Sequence, residues 1–414
     1  MKMKKMPLMF GCCLMVLCLS NCAMKPEESA HIPIFGWRNP YGANETQERY
    51  QEMRDAGFDY MFTSDNVQYS LDLCEKVGMK AFVRCPELRE SPEETVAKYK
   101  NHPAVAGWFL SDEPDDGRME ELAEWKRRIE SVDKEHPCFL NLLPSYCFTP
   151  EGYVKHLRLI TEKVGMPEIS FDNYPVFYSD IDGDGEAEVH LNPSWYQNLE
   201  MVSAEARRAG VPFWAFALST AHTNIGLAQF YTPTPAYPIP TIDHLRIQMY
   251  SNLAYGAQQL EYYSYWTPDT TNSLDFHDGP ISLSGRRSPV YERVREMNEE
   301  IQRRAFVWAG CTVESVCHIA EDSIPIGTKP LAVLPAHFQT LKNEKGHGLV
   351  SAIRNGKHHY VMLVNTSPVD EWHVRVETDE GVQLVRRDGS RIPATRYDPL
   401  FILTPGNCEI FEID

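Results

Sequence analysis

The segment Gly107-Trp108-Phe109-Leu110-Ser111-Asp112-Glu113-Pro114 runs an apolar stretch into two adjacent carboxylates and a proline. Such a run reads as a buried strand that delivers acids to a cleft, where one carboxyl can donate a proton and another can accept one. Adjacent strand residues point to opposite faces, so the two acids should divide. Glu113 is the candidate general acid, and Asp112 the residue that holds substrate or an arginine. Like charge and partial burial both raise a carboxyl pKa, as a proton donor at neutral pH requires.

Polar and aromatic residues also end the other short apolar runs. Trp37, Arg38 and Asn39 close one of them, Arg84 another, and Asp172, Asn173 and Tyr174 a third; His222 lies just beyond Ser219, and Tyr265 and Trp266 end the last. If these runs are parallel strands of one barrel, their C-terminal ends converge on one face and these side chains share a cleft. Arg84 is then the candidate partner of Asp112 or of a substrate hydroxyl. Asn39, Asn173 and His222 are further candidate substrate ligands, and Trp37, Tyr174, Tyr265 and Trp266 the candidate stacking platforms.

The elements that must position these groups are eight β-rich runs at 32–37, 59–63, 80–84, 105–111, 138–142, 168–172, 212–219 and 259–266. Between them lie amphipathic stretches such as 45–56, 67–77, 119–133, 194–209 and 243–255, with 288–309 as a closing helix. That alternation predicts an α/β fold, a (β/α)8 barrel over 32–310. Past Gly310 the texture turns to strands at 360–364, 373–377, 382–386, 400–403 and 408–412, which predicts an antiparallel β-sandwich over 311–414. The proline-rich stretch 231–240 cannot be helical and is expected to form a long loop over the cleft.

Four local patterns carry a family resemblance: Glu113 after the fourth strand, Ser170-Phe171-Asp172-Asn173-Tyr174-Pro175 at the sixth, Pro212-Phe213-Trp214 opening the seventh, and Gly256-Ala257 leading into the aromatic eighth. With these, residues 32–310 resemble the catalytic domain of the family 42 β-galactosidases, within the clan A (β/α)8 glycoside hydrolases. The resemblance implies hydrolysis of a glycoside with Glu113 as general acid/base. The chain departs from the family twice: Asp112 stands where the family has Asn, and the segment matching the nucleophile strand reads Ala215-Phe216-Ala217-Leu218-Ser219, without a carboxylate. A retaining double displacement needs two carboxyl groups about 5 to 5.5 Å apart. Glu261 on the eighth strand could supply the second, or Asp172 could act as base in an inverting reaction if it lies about 6.5 to 9.5 Å from Glu113. With neither, the barrel would be a glycan-binding protein with a degenerate site.

Composition bounds the substrate and the setting. Among 414 residues, 58 acids and 40 bases give a formal net charge of -18, which disfavours nucleic acid and anionic membrane surfaces as partners and favours a neutral glycan. Residues 1–22 have a basic start at Lys2, Lys4 and Lys5, an apolar stretch over 8–19, and a close at Leu19-Ser20-Asn21-Cys22. That is an export signal. Its end resembles a bacterial lipobox with Cys22 as the lipidated residue, and the acidic stretch after it, in the 23–31 linker, resembles the tags of surface lipoproteins of the Bacteroides group. The expected setting is therefore the cell envelope, anchored by lipid, on the outer membrane. Of the 11 Cys, seven lie beyond the signal at irregular spacing, which suggests neither zinc nor a disulfide framework. No cofactor is required. Asp180, Asp182 and Asp184, with Gly185 following, match the opening of a calcium loop, but its twelfth position is Leu191, so a structural calcium is the one metal this sequence raises.

Overall fold

The computed structural model describes residues 30–179, 186–227, 234–396 and 398–414. Cys22 and the acidic loop with Asp180, Asp182 and Asp184 lie outside them. Eight parallel strands close a barrel: β1 (Ile34–Gly36), β2 (Tyr60–Phe62), β3 (Lys80–Val83), β4 (Val105–Asp112), β5 (Cys138–Leu142), β6 (Ile169–Phe171), β7 (Phe213–Leu218) and β8 (Gln259–Tyr263), with β1 pairing to both β2 and β8. Helices including Gln47–Asp55, Val67–Val77, Met119–Glu130, Trp195–Ala209, Ile242–Tyr255 and Pro289–Arg303 wrap the outside.

The period-2 alternation of the strands sorts side chains into two layers. Ile34, Met61, Val83, Trp108, Leu140 and Leu260 face the helices. Phe35, Phe62, Phe82, Phe109, Phe139 and Phe216 fill the interior, where Phe35 and Phe62 meet with centroids 4.9 Å apart and Phe62 and Phe109 at 4.6 Å. Aromatic rings each remove a large apolar area from water, so strands of only three residues suffice at β1, β2 and β6.

Two features of β4 aim its acids. The pairing to β5 slips between Phe109 and Ser111, a bulge that re-aims the residues after it. Glu113 then adopts φ 44, in the left-handed region, while its N–H still donates to the Asn141 carbonyl at 2.8 Å. The regular strand has ended, so strict alternation fails and Asp112 and Glu113 both face the mouth.

Beyond the barrel, a six-stranded and a three-stranded antiparallel sheet stack as the expected β-sandwich around Val361, Trp372, Val374 and Phe411. It docks on the helix Ile242–Tyr255, where the Ser351 hydroxyl donates to the Ala254 carbonyl at 2.7 Å. A further five-stranded antiparallel sheet grows from the barrel-top loops, and its short strand Ala236–Tyr237 forms from the stretch expected to be a loop. The seven described cysteines are all free thiols. No helix among the described residues is long and apolar enough to cross a membrane.

Gly107 is where β4 passes closest to its surroundings: a Cβ there would lie 2.3 Å from the Pro137 carbonyl oxygen and 2.8 Å from the Phe82 ring. Gly107→Ala should therefore cost about 1–3 kcal/mol through overpacking, read as a lowered urea midpoint. An unchanged midpoint would show that β4 can shift freely.

Candidate active site

Two adjoining cavities open at the C-terminal ends of the strands. The smaller, about 270 Å³, is lined by Trp37, Asp112, Glu113, Asn141, Asp172 and Tyr174 among others, with Phe216, His222 and Tyr263 completing its walls. The larger, about 770 Å³, shares Trp37, Asp112 and Tyr263 with it and extends past Arg38, Asn39 and Arg84.

At the junction, Glu113 and Asp172 act on each other: Asp172 is a hydrogen-bond partner that lowers Glu113, and the Glu113 charge raises Asp172. Asp172, the more deeply buried of the two, is the member that keeps its proton at neutral pH. Burial and the neighbouring Glu113 charge push Asp172 up to about 8, against the pull of a hydrogen bond from Asn141. Burial and the charge of Asp112 raise Glu113 as well. Asp112 is raised chiefly by burial and pulled back by Asn141 and by the charge of Arg84.

Asn141, at the end of β5, organises these acids. Its Nδ2 donates to Asp172 Oδ1 at 3.0 Å and to Asp112 Oδ1 at 3.3 Å, which uses both amide protons. Its Oδ1 accepts from the Ser170 hydroxyl at 3.1 Å, and Ser170 Oγ lies 2.7 Å from Glu261 Oε2. Ser170 has one proton to give. That proton is divided between Asn141 Oδ1 and Glu261 Oε2, the latter the shorter contact. Burial pushes Glu261 up to about 8 against this hydrogen bond, and Gln259 Nε2 donates to its other oxygen at 3.2 Å. Glu261 is fully buried below the mouth and lines neither cavity. The expectation that it could be the second reacting carboxylate is corrected: it faces inward too early in β8 to reach the cleft.

Asp172, the other candidate for the second carboxylate, lines the smaller cavity together with Glu113. On β7 the side chain presented to the smaller cavity is Phe216.

The remaining sequence candidates separate clearly. Trp37 lines both cavities, its ring edge-on to Phe62 at 4.7 Å and Phe216 at 5.5 Å. Tyr174 forms a wall of the smaller cavity beside Tyr263 and Tyr237. His222 lines it too, stacked on Tyr237 at 4.4 Å and pushed down to about 4 by burial, so its ring is neutral at physiological pH. Asn39 and Arg84 line the larger cavity. Three candidates do not reach the cleft. Asn173 is buried and donates to Asn198 Oδ1 at 3.3 Å, pinning the loop to the helix Trp195–Ala209. Tyr265 and Trp266 are buried outside the barrel wall, Tyr265 against Phe58 at 5.2 Å and Trp266 against Tyr41 at 5.9 Å. Strand β8 ends at Tyr263, so the chain has left the barrel before either ring could turn inward. Tyr263 is the aromatic that does line the cleft, two residues above inward-facing Glu261, and strict alternation from Glu261 would have found it. Asn141 is the other residue that sequence reasoning passed over, and Arg38, named there only as a strand-end residue, lines the larger cavity.

No protein-family model matches the chain, and no curated protein matches it in sequence. Its fold, a closed (β/α)8 barrel followed by a β-sandwich, is one it shares with solved β-galactosidases. Two solved structures carry the comparison. A catalytic mutant of a GH42 β-galactosidase from G. stearothermophilus aligns at TM-score 0.58 and 10% identity over 93% of this chain and 98% of that one. The β-galactosidase of Bacillus circulans sp. alkalophilus aligns at 0.56 and 10% over 94% and 100%. The β-galactosidase of the psychrophilic Marinomonas ef1 is more distant at 0.47 and 11%, and this chain spans 60% of its length.

The raised Asp172 pKa has a stability consequence. An unfolded Asp releases its proton near 3.8 while the folded one keeps it to about 8, so this stabilising contribution is complete below 3.8 and lost as pH rises to about 8. Asp172→Asn removes the titration. The melting-temperature advantage of the variant over the parent should widen steadily from pH 4 to pH 8; a constant or narrowing gap would contradict the assignment.

Proposed function

We propose that this chain hydrolyses a glycoside, with the Glu113–Asp172 pair as its acid/base. The single observation that carries the reading is the placement of the acids: a barrel-mouth cleft walled by aromatic rings holds Glu113 and Asp172 together, and burial and their mutual charge raise both. The glycoside-hydrolase fold of the solved neighbours supports it.

In the proposed reaction, Glu113 passes the pair's proton to the glycosidic oxygen as the bond from that oxygen to the anomeric carbon breaks. The positive charge that develops on the sugar is then faced by two adjacent carboxylates in a low-dielectric pocket, where charge stabilisation is strong. A water oxygen bonds to the anomeric carbon and its proton returns to the pair, which restores the starting state. Trp37, Tyr174 and Tyr263 supply ring faces and edges for the sugar, and neutral His222 can exchange hydrogen bonds with a hydroxyl.

A second reading, glycan binding without cleavage, is favoured by one specific feature: Phe216 stands on β7, where the resemblance calls for a carboxylate. Assays on a panel of aryl glycosides and oligosaccharides separate the two. Glu113→Gln should lower kcat/KM by at least about 10²-fold with an unaltered circular-dichroism spectrum, and parental kcat/KM should fall as pH rises past about 8, where the pair loses its last proton. Undiminished turnover in the variant, or calorimetric binding with no product from the parent, would overturn the hydrolase reading.

A further inference from the structure

The larger cavity differs in sign from the chain around it. Arg38, held at φ 57 just past β1, and Arg84, just past β3, both expose their guanidinium groups to it, and neither forms an ion pair among the described residues. Arg89, on the same wall, is by contrast paired with Glu121 at 2.6 Å. Arg38 acts on Tyr263, a neutral neighbour, chiefly through its charge. The Arg84 guanidinium lies over the Phe62 ring at 5.3 Å and the Phe109 ring at 5.4 Å. Burial and the like charge of Arg38 both act against its protonated form, and the opposing charge is Asp112 alone. Asp112 is itself engaged by Asn141.

Two arginines within electrostatic reach of each other, neither in an ion pair among the described residues, leave the chamber locally positive in a chain with 58 acids to 40 bases. Stacking fixes the plane of Arg84 and leaves its N–H edge free. A guanidinium edge is a fork that matches a pair of anionic oxygens and immobilises them bidentately.

We propose that the substrate carries an anionic group, a sugar carboxylate or a sulfate ester, which Arg38 and Arg84 hold in the chamber beside the Glu113–Asp172 pair. The proposal deepens the glycoside reading and rests on it for the identity of the ligand as a sugar. The chamber shares Trp37, Asp112 and Tyr263 with the smaller cavity, so the anionic group belongs to a ring adjoining the reacting linkage. The neutral glycan expected from net charge gives way here because the overall charge acts through solvent that screens it within about 8 Å, whereas the chamber is governed by the arginines in its wall.

The test uses Glu113→Gln protein, so that binding is read without turnover. Titration calorimetry is run with uronate-bearing oligosaccharides and their methyl esters, and with sulfated oligosaccharides and their desulfated forms. At least one charged sugar should bind tenfold or more tightly than its own neutral counterpart, and whether the carboxylate or the sulfate arm shows the ratio identifies the group. Adding Arg38→Gln with Arg84→Gln should bring that ratio to within about twofold of one. Adding Arg84→Lys alone, which keeps charge and loses the fork, should leave it intermediate and guards against a double substitution that fails to fold. Equal affinity for charged and neutral members, a ratio that survives the double substitution, or no binding of any charged sugar would overturn the proposal. Charged-sugar binding without any reducing-end release by the parent protein would instead overturn the hydrolase reading and leave this one standing.

Discussion

The site depends on one constraint: Glu113 and Asp172 come from different strands and meet in a place too dry for both to be charged. Burial and mutual repulsion together keep one proton in the pair. Everything near it maintains that contact. The bulge in β4 and the left-handed backbone at Glu113 turn the first acid inward. Asn141 spends both amide protons holding Asp172 and Asp112, and the chain from Glu261 through Ser170 fixes which way that amide points. Glu261 thus acts from below, as a buried carboxyl that accepts from Ser170 and whose consequence appears two residues away.

The aromatic filling of the barrel serves the same end. Six phenylalanines beneath the mouth exclude water from the floor of the cleft, which strengthens each electrostatic interaction above it. The same rings form the platform for Arg84. Packing and electrostatics are therefore one arrangement: the core that closes a barrel of very short strands also raises the carboxyl pKa values and steadies the cation beside them.

Much of this was legible in the sequence. The eight β-rich runs fall on the eight strands because each is an apolar stretch bounded by turn residues, and the amphipathic period marks the helices between them. In the C-terminal half, the long strands Thr312–Ile319, Phe338–Lys345 and Gly348–Asn355 escaped notice, the first two because bulges break their alternation. At the site, Glu113 and Asp172 were visible as acids at strand ends, but their direct contact was not, since it depends on barrel curvature and on a bulge. Tyr265 and Trp266 misled because β8 stops earlier than its aromatic run. Asn141 carried no signal beyond its place at a strand end, and its importance emerges only from counting donors. That β7 itself carries no carboxylate is plain from its residues, and the side chain it presents to the smaller cavity is Phe216.

The central claim, that Asp172 keeps its proton beside Glu113 at neutral pH, is open to direct measurement. Carboxyl-carbon NMR of aspartate-labelled protein, with Asp172→Asn to assign the resonance, follows the titration of Asp172. It should change protonation near pH 8 in the parent and at clearly lower pH in Glu113→Gln, where the neighbouring charge is gone. A titration in the ordinary aspartate range near 4, or one that Glu113→Gln leaves unmoved, would contradict the claim.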